Sequence, residues 1–175
     1  MPGLNWGATA AEQAIALPCD ALVCGQSVQA DRAINIDAPP TLVFGWLCQL
    51  RVAPYSYDML DNFGRRSPRQ RTPALTHLQV GQRFMTVFTL QSFIEGEQIT
   101  LQTRRVAVTY RLRPLATGTR LHVRVLFEGP PAIGRLAALG DVVMMRKQLL
   151  TLKKLAEREL GLGVKSWAAE DNWRS

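Results

Sequence analysis

The chain has 175 residues, 47% of them hydrophobic and 20% charged, which suits a folded globular protein rather than a disordered one. A net charge of +7 leaves room for acidic partners without requiring them, and two histidines with three cysteines lacking CxxC spacing argue against a His- or Cys-built metal site and give no sign of a disulfide framework. No stretch has the apolar length of a membrane span, and the start MPGLNWGATAAEQ lacks the pattern of a secretory signal, so one cytoplasmic domain is expected over 1–175.

The expected domain has an N-terminal extension at 1–27, a core at 28–160 and a tail at 161–175. Thr9-Ala-Ala-Glu12 has the spacing of a capping box, followed by a short helix to about Leu17 that Pro18 ends. Residues 18–30 read as a connection along the surface. Alternation over Ala30 to Asp37 predicts a strand with Ile34 and Ile36 on one face. Asp37 is placed to cap a helix whose first turn holds Pro39 or Pro40, where a missing N–H costs little. In that helix Val43, Trp46, Leu47 and Leu50 make one apolar stripe. Tyr55 to Asn62 predicts a second short helix after Pro54. GRRSPRQRTP, residues 64–73, is a loop by its glycine, its two prolines and its four arginines.

After that loop the hydrophobic period changes to two. Strands are predicted over Gln82 to Ile94, as one long strand or a bent pair, then over Gln98 to Arg104, Arg105 to Leu115 and Arg120 to Glu128. Gly96 marks a turn, a bulge separates the second strand from the third, and Ala116-Thr-Gly-Thr119 is a hairpin turn. Val106, Val108, Tyr110 and Leu112 share one face of the sheet with Leu121, Val123, Val125 and Phe127. The opposite face carries Arg105, Thr109, Arg111, Arg113, Arg120, His122 and Arg124, so an antiparallel sheet covered on one side is expected, with His122 toward water. A long helix should run from Ala132 or Gly134 to Leu160, with Leu139, Val142, Met145, Leu149, Leu152 and Ala156 as its apolar stripe. Gly161 and Gly163 are stop signals for it, and Trp167 and Trp173 give the tail something to pack.

Strand, short helices, a run of strands and a closing helix describe an α+β fold with a space between a curved sheet and the helix. The walls of that space would be the last strands, the long helix and the first short helices. IDAPPTLVFGWLCQL resembles the strand–IxAPxxxVWxxL–helix opening of the START-like, helix-grip superfamily, also called SRPBCC or polyketide cyclase/dehydrase-like. WGAT at 6–9, YSYDMLDN at 55–62 and the closing LGDVVMMRKQLLTLKKLAERE are similar to a bacterial branch of that group. The resemblance spans roughly residues 6–160 and departs from the pattern at Val43-Phe44, where a Trp often follows the Val directly. It implies a helix-grip fold and one of several roles: lipid carrier, receptor, aromatase/cyclase or ligand-binding stress protein.

The expected ligand-contacting residues are Trp46, Tyr55, Tyr57, Phe84, Phe88, Tyr110, Phe127, Met145, Arg146 and Leu149, with Met144 beside them. Phe and Met at these positions equally suit a filled core. Tyr57 and Asp58 are the candidates for moving a proton, but no histidine or metal-ligand set accompanies them. The other reading of Tyr55, Tyr57, Asp58 and Asp61 is a short helix whose tyrosines pack and whose aspartates cap or pair with arginine. Arg146, next to the apolar stripe, reads as a clamp for a ligand carboxylate or phosphate, or as the partner of Asp58, Asp61 or Asp141. Arg65, Arg66, Arg69 and Arg71 read as a solvated, pocket-gating loop; without a reading element or interleaved aromatics, nucleic acid is not expected as a partner. The reading is a binding protein for an apolar, aromatic or lipid-like small molecule with one polar or anionic group, without cofactor or metal. The alternatives are a cyclase/dehydrase-like enzyme and an interaction module with a filled core. Oligomeric state is not legible.

Overall fold

A computed structural model describes residues 4–55 and 68–171, with side chains described as far as residue 161. The chain begins with β1 (Asn5–Trp6) and α1 (Ala10–Ala14), then a 3-10 turn at Pro18–Leu22. β2 (Ser27–Ile36) leads into α2 (Pro40–Cys48), and 3-10 turns follow at Gln49–Arg51 and Pro73–Thr76. The sheet continues with β3 (Arg83–Phe84), β4 (Phe88–Ile94), β5 (Gln98–Gln102), β6 (Val106–Leu115) and β7 (Gly118–Glu128), and α3 (Pro131–Asp171) closes the chain.

The strands form one sheet in the order β1-β2-β7-β6-β5-β4-β3. β3 to β7 are a meander of hairpins, and β2 joins it across β7 from Ser27 opposite Glu128 to Ile36 opposite Thr119. The sheet is mixed rather than purely antiparallel, because β1 pairs parallel to the outer edge of β2. β5 and β6 are joined by a tight turn at 103–105, not by the expected bulge; the one register shift in that region lies in β4 between Leu90 and Ser92. The long strand expected over Gln82 to Ile94 is a bent pair, folded at Met85–Val87.

The inward alternation of β6 and β7 is as expected: Val108, Tyr110, Leu112, Leu121, Val123, Val125 and Phe127 all enter the core. α2 contributes Val43, Trp46 and Leu47, and Leu50 follows from the turn after it, so its predicted stripe is buried throughout. Trp46 meets the Tyr55 ring edge-on at 6.0 Å between centroids, a favoured aromatic geometry. Asp37 does not cap α2. Pro39 occupies the N-cap position and Pro40 opens the helix, while the Asp37 N–H donates to Glu157 of α3 at 2.9 Å.

The inward face of α3 is turned relative to the expected stripe. Gly134, Ala138, Met145, Gln148, Leu149, Leu152, Leu155 and Ala156 are buried, whereas Leu139 is exposed. The cause lies in the first turns, where small residues let helix and sheet approach: a side chain at Gly134 would strike Val28 of β2. Gly161 and Gly163 do not stop the helix, which runs on to Asp171. A glycine inside a helix costs about 1 kcal/mol, too little to end one when no proline follows.

The convex face of the sheet is only partly in water: Arg105 and Arg113 are exposed as expected, but Thr109, His122 and Arg124 are buried. The segment from β1 to Leu22 lies across it as a strap. Thr9 and Glu12 form the predicted capping box of α1, and Gly7, in a left-handed conformation, passes so close to the Ala33 carbonyl that a side chain would not fit. Beneath the strap Arg124 donates to Asp31 at 3.1 Å, to Asp20 and the Ile15 carbonyl through Nη1, and to the Glu12 and Gln13 carbonyls through Nη2. His122, expected in water, is 4% exposed and shares a 2.8 Å hydrogen bond with Asp31. Burial pushes the Asp31 carboxyl up, but hydrogen bonds from His122 and Gln29 and the Arg124 guanidinium together hold it below the usual carboxylate range. Cys19 is fully buried in the same layer; burial pushes its thiol up to about 11, which makes it unreactive at neutral pH.

Candidate functional site

Between the concave face and the middle of α3 lies a cavity of about 350 Å³, at the lower end of the range for small-molecule pockets, about 300–1,000 Å³. Val106, Val108 and Tyr110 of β6 and Val125 of β7 make its floor; Asp141, Met144, Met145 and Gln148 of α3 make its roof. Met85, Thr86, Val87 and Phe88 of the β3–β4 hairpin close one side, with Pro54 beside them.

The helical period explains the roof. Asp141, Met145 and Gln148 stand at i, i+4 and i+7 and so share the face that the sheet covers. The hairpin wall is bent by two consecutive left-handed residues, Met85 (φ 46°) and Thr86 (φ 68°), and Tyr55, next to Pro54, is left-handed as well (φ 57°). Such conformations are uncommon for residues other than glycine and need support from their surroundings. Support is visible at Met85, whose N–H donates to the Leu50 carbonyl at 2.8 Å.

Two polar groups face the cavity from its interior. In the first, the Tyr110 hydroxyl donates to Gln148 Oε1 at 2.8 Å, and Gln148 Nε2 donates to the Pro54 carbonyl at 2.6 Å and to Met85 Sδ at 3.4 Å. Burial pushes the Tyr110 phenol far above its usual range, so it keeps its proton. The second is Asp141. Burial pushes its carboxyl up to about 6, against the pull of the Arg32 guanidinium. Arg32 Nη2 reaches Asp141 Oδ2 at 3.5 Å and the Ala138 carbonyl at 3.3 Å. Its Nη1 donates to the carbonyls of Leu4 and Asp31. Arg32 is fully buried, and burial lowers its pKa against the opposing charges of Asp141 and Asp31.

Of the residues expected at the ligand, Phe88, Tyr110 and Met145 line the cavity, and so does Met144. Trp46, Tyr55, Phe84, Phe127 and Leu149 are buried in the surrounding core instead. Arg146 does not line the cavity: it lies on the exposed side of α3, with its guanidinium 5.6 Å from the centroid of the Trp6 ring, a cation–π geometry. Tyr57, Asp58, Asp61, Arg65 and Arg66 lie outside the described residues. Arg71 is tied down rather than free in a loop, donating through Nε and Nη2 to the Glu159 carboxylate of α3, and the Arg69 carbonyl accepts from Arg158.

Asp141, Gln148 and Arg32 were missed from the sequence, and each had a signal. Arg32 sits on the inward side of an alternation that runs Val28, Ala30, Arg32, Ile34, Ile36, and an inward arginine demands a carboxylate. Asp141 and Gln148 fall on the face defined by Met145, Leu149, Leu152 and Ala156 once that face is traced from the apolar end of the helix. Among the described residues no cluster of three or more His, Cys, Asp or Glu side chains is placed to hold a metal ion, and no helix is long and apolar enough to cross a membrane.

No protein-family model matches the chain, and no curated protein matches it. Solved structures do. Protein NE0264 from Nitrosomonas europaea superposes with a TM-score of 0.50 at 13% identity, over 75% of this chain and 95% of that one. A Polyketide_cyc-like protein from Corynebacterium glutamicum gives 0.48 at 17% identity over 78% and 96%, and an AHSA1-like protein from Rhizobium etli gives 0.47 at 13% identity over 77% and 86%. At these identities the likeness is one of fold. The chain has the helix-grip architecture that its Ala-Pro-Pro segment led one to expect: a curved sheet wrapped around a long C-terminal helix, with short helical elements after the first long strand.

Proposed function

We propose that this protein binds a small, largely apolar molecule between its sheet and its C-terminal helix. The observation that supports the reading is the cavity itself: about 350 Å³, walled mainly by Val, Met, Phe and Pro side chains, with a few polar groups at fixed places. The cavity opens to solvent beside Val87 and Met144, so a guest has a way in to its apolar walls. Titration with a neutral solvatochromic dye such as Nile red tests this. The native protein should bind saturably at one site, and Val108→Phe, which places a ring in the cavity, should abolish binding while unfolding within about 1–3 kcal/mol of the native protein. Equal binding by the variant, or none by the native protein, would sink the proposal.

A second reading, an enzyme, has one observation behind it. The Asp141 carboxyl, pushed up to about 6 within the cavity, is in the range that suits a general acid or base near neutrality. It requires that a bound ligand be converted by the native protein, and that Asp141→Asn still bind the ligand but not convert it. Binding without conversion in the native protein leaves a carrier.

A further inference from the structure

The cavity's polar groups have a chemical sense, and it is the opposite of the anion clamp expected from Arg146. The described polar side chains that line it are Thr86, Tyr110, Asp141 and Gln148. The donors of the interior pair are already engaged. Gln148 cannot be turned over, because its amide oxygen would then face the Pro54 carbonyl; its Nε2 therefore stays on that carbonyl and on Met85 Sδ, and its Oε1 accepts the hydrogen bond of the Tyr110 hydroxyl. Thr86 stands at the exposed rim, where water satisfies it. Arg32, 3.5 Å from Asp141, does not line the cavity, and its Nη1 is engaged on the carbonyls of Leu4 and Asp31.

What the interior offers a guest is acceptors. The Tyr110 oxygen retains lone pairs. Asp141 has one hydrogen-bonding partner among the described residues, Arg32, at a long 3.5 Å and on one oxygen only. A carboxylate commonly accepts several hydrogen bonds; that of Asp141, 20% exposed and half-buried at the cavity wall, keeps acceptor capacity toward the cavity, and its partial burial is what pushes its pKa up. An anionic ligand would set its charge against this carboxylate and meet no unengaged donor among the described interior side chains.

We propose that the occupant is an apolar molecule carrying a hydrogen-bond donor, a hydroxyl or a protonated amine, which it sets against Asp141. The proposal rests on the reading of the cavity as a binding site. The small volume fits a compact one- or two-ring skeleton better than a long acyl chain.

Four probes of one skeleton, followed by calorimetry near neutral pH, test it: 2-naphthol, 2-naphthylmethylamine, 2-methoxynaphthalene and 2-naphthoate. The naphthol, the amine or both should bind the native protein about tenfold tighter than the methoxy compound, the scale of one hydrogen bond to a charged group, and the naphthoate should bind weakest. Whichever of the two binds identifies the donor as neutral or cationic. In Asp141→Asn the margin over naphthoate should shrink by about tenfold, and Val108→Phe should bind none of the four. The comparison within the native protein stands even if Asp141→Asn does not fold. Naphthoate binding as tightly as naphthol and amine, or methoxynaphthalene matching them, overturns the donor assignment while the cavity reading survives, provided that Val108→Phe removes the binding. If no probe binds in a manner sensitive to Val108→Phe, both fall.

Discussion

On the convex face of the sheet, Arg124 places its five N–H groups on five acceptors, Asp31, Asp20 and the carbonyls of Glu12, Gln13 and Ile15. On the concave face, Asp141 has a single long contact with Arg32 beside an open volume. Both groups sit in low-dielectric surroundings, where a polar group is either satisfied or expensive. A saturated network has no capacity left for a ligand and acts to hold the strap in one place. A carboxylate that keeps an edge toward a cavity has acceptor capacity that, on the binding proposed above, a guest would use. The contrast separates a saturated polar group from one with capacity left, which residue type alone does not.

The contrast can be broken most forcefully at Arg124. Arg124→Met removes all five bonds and leaves Asp31 and Asp20 without their guanidinium, so urea unfolding should show a loss of about 3–5 kcal/mol, together with faster proteolysis of residues before Ser27. A loss under about 1 kcal/mol would reduce the convex network to the standing of surface ion pairs. The next effect is the response to pH, which should differ in sign between the faces. Asp141 is raised from 3.8 to about 6, so protonation favours the folded state: its contribution is complete below pH 3.8 and disappears as pH rises through about 6. That contribution is on the order of 2–3 kcal/mol, and Asp141→Asn should flatten it in denaturation curves recorded across this window. Glu12 runs the other way. Its hydrogen bond with Arg120, opposed by burial, lowers it from 4.5 to about 2, so its contribution is complete above pH 4.5 and is lost as pH falls through about 2. A stability curve that rises monotonically from pH 2 to 7 would contradict the raised carboxyl. The smallest effect belongs to Glu12→Gln, at the edge of the strap, where bonds to Arg120 at 2.8 Å lie near solvent. It should cost about 1 kcal/mol at neutral pH, less than the ion pair contributes, because the Gln oxygen still accepts from Arg120 or the Thr9 N–H, and equality with Arg124→Met would erase the distinction between the centre and the rim of the network.

The architecture was largely legible because its signals are local. The alternation of β6 and β7, the stripe of α2 and the capping box of α1 each depend on residues a few positions apart. Other features were hidden because they depend on what lies across the space. Nothing near His122 or Arg124 announces that residues 5–22 will cover them; the alternation shows only that they oppose the core. The candidate site was half legible. Phe88, Tyr110 and Met145 are apolar or aromatic residues on inward faces, where a cavity and a core look alike. Asp141 was hidden for a different reason: a charged residue on a helix reads by default as solvent-facing, and only the buried Arg32 opposite it, 109 positions away in sequence, changes that.

The sheet order also leads us to predict a sequence of events in time. β3 to β7 are joined by short turns and close small loops, whereas β2 must wait for residues 119–128 before its pairing exists. Closing that loop is entropically expensive, and contacts of this kind slow folding. β2 should therefore pair after the meander has formed, and the strap, which needs β2 and β7 already side by side, should settle after it. Ile36→Val, a conservative deletion in β2, should accordingly raise the unfolding rate and leave the folding rate nearly unchanged; a folding rate slowed in proportion to the lost stability would put β2 in the nucleus instead. Until α3 docks, the future cavity is simply an open apolar sheet face, exposed to whatever else the cell contains.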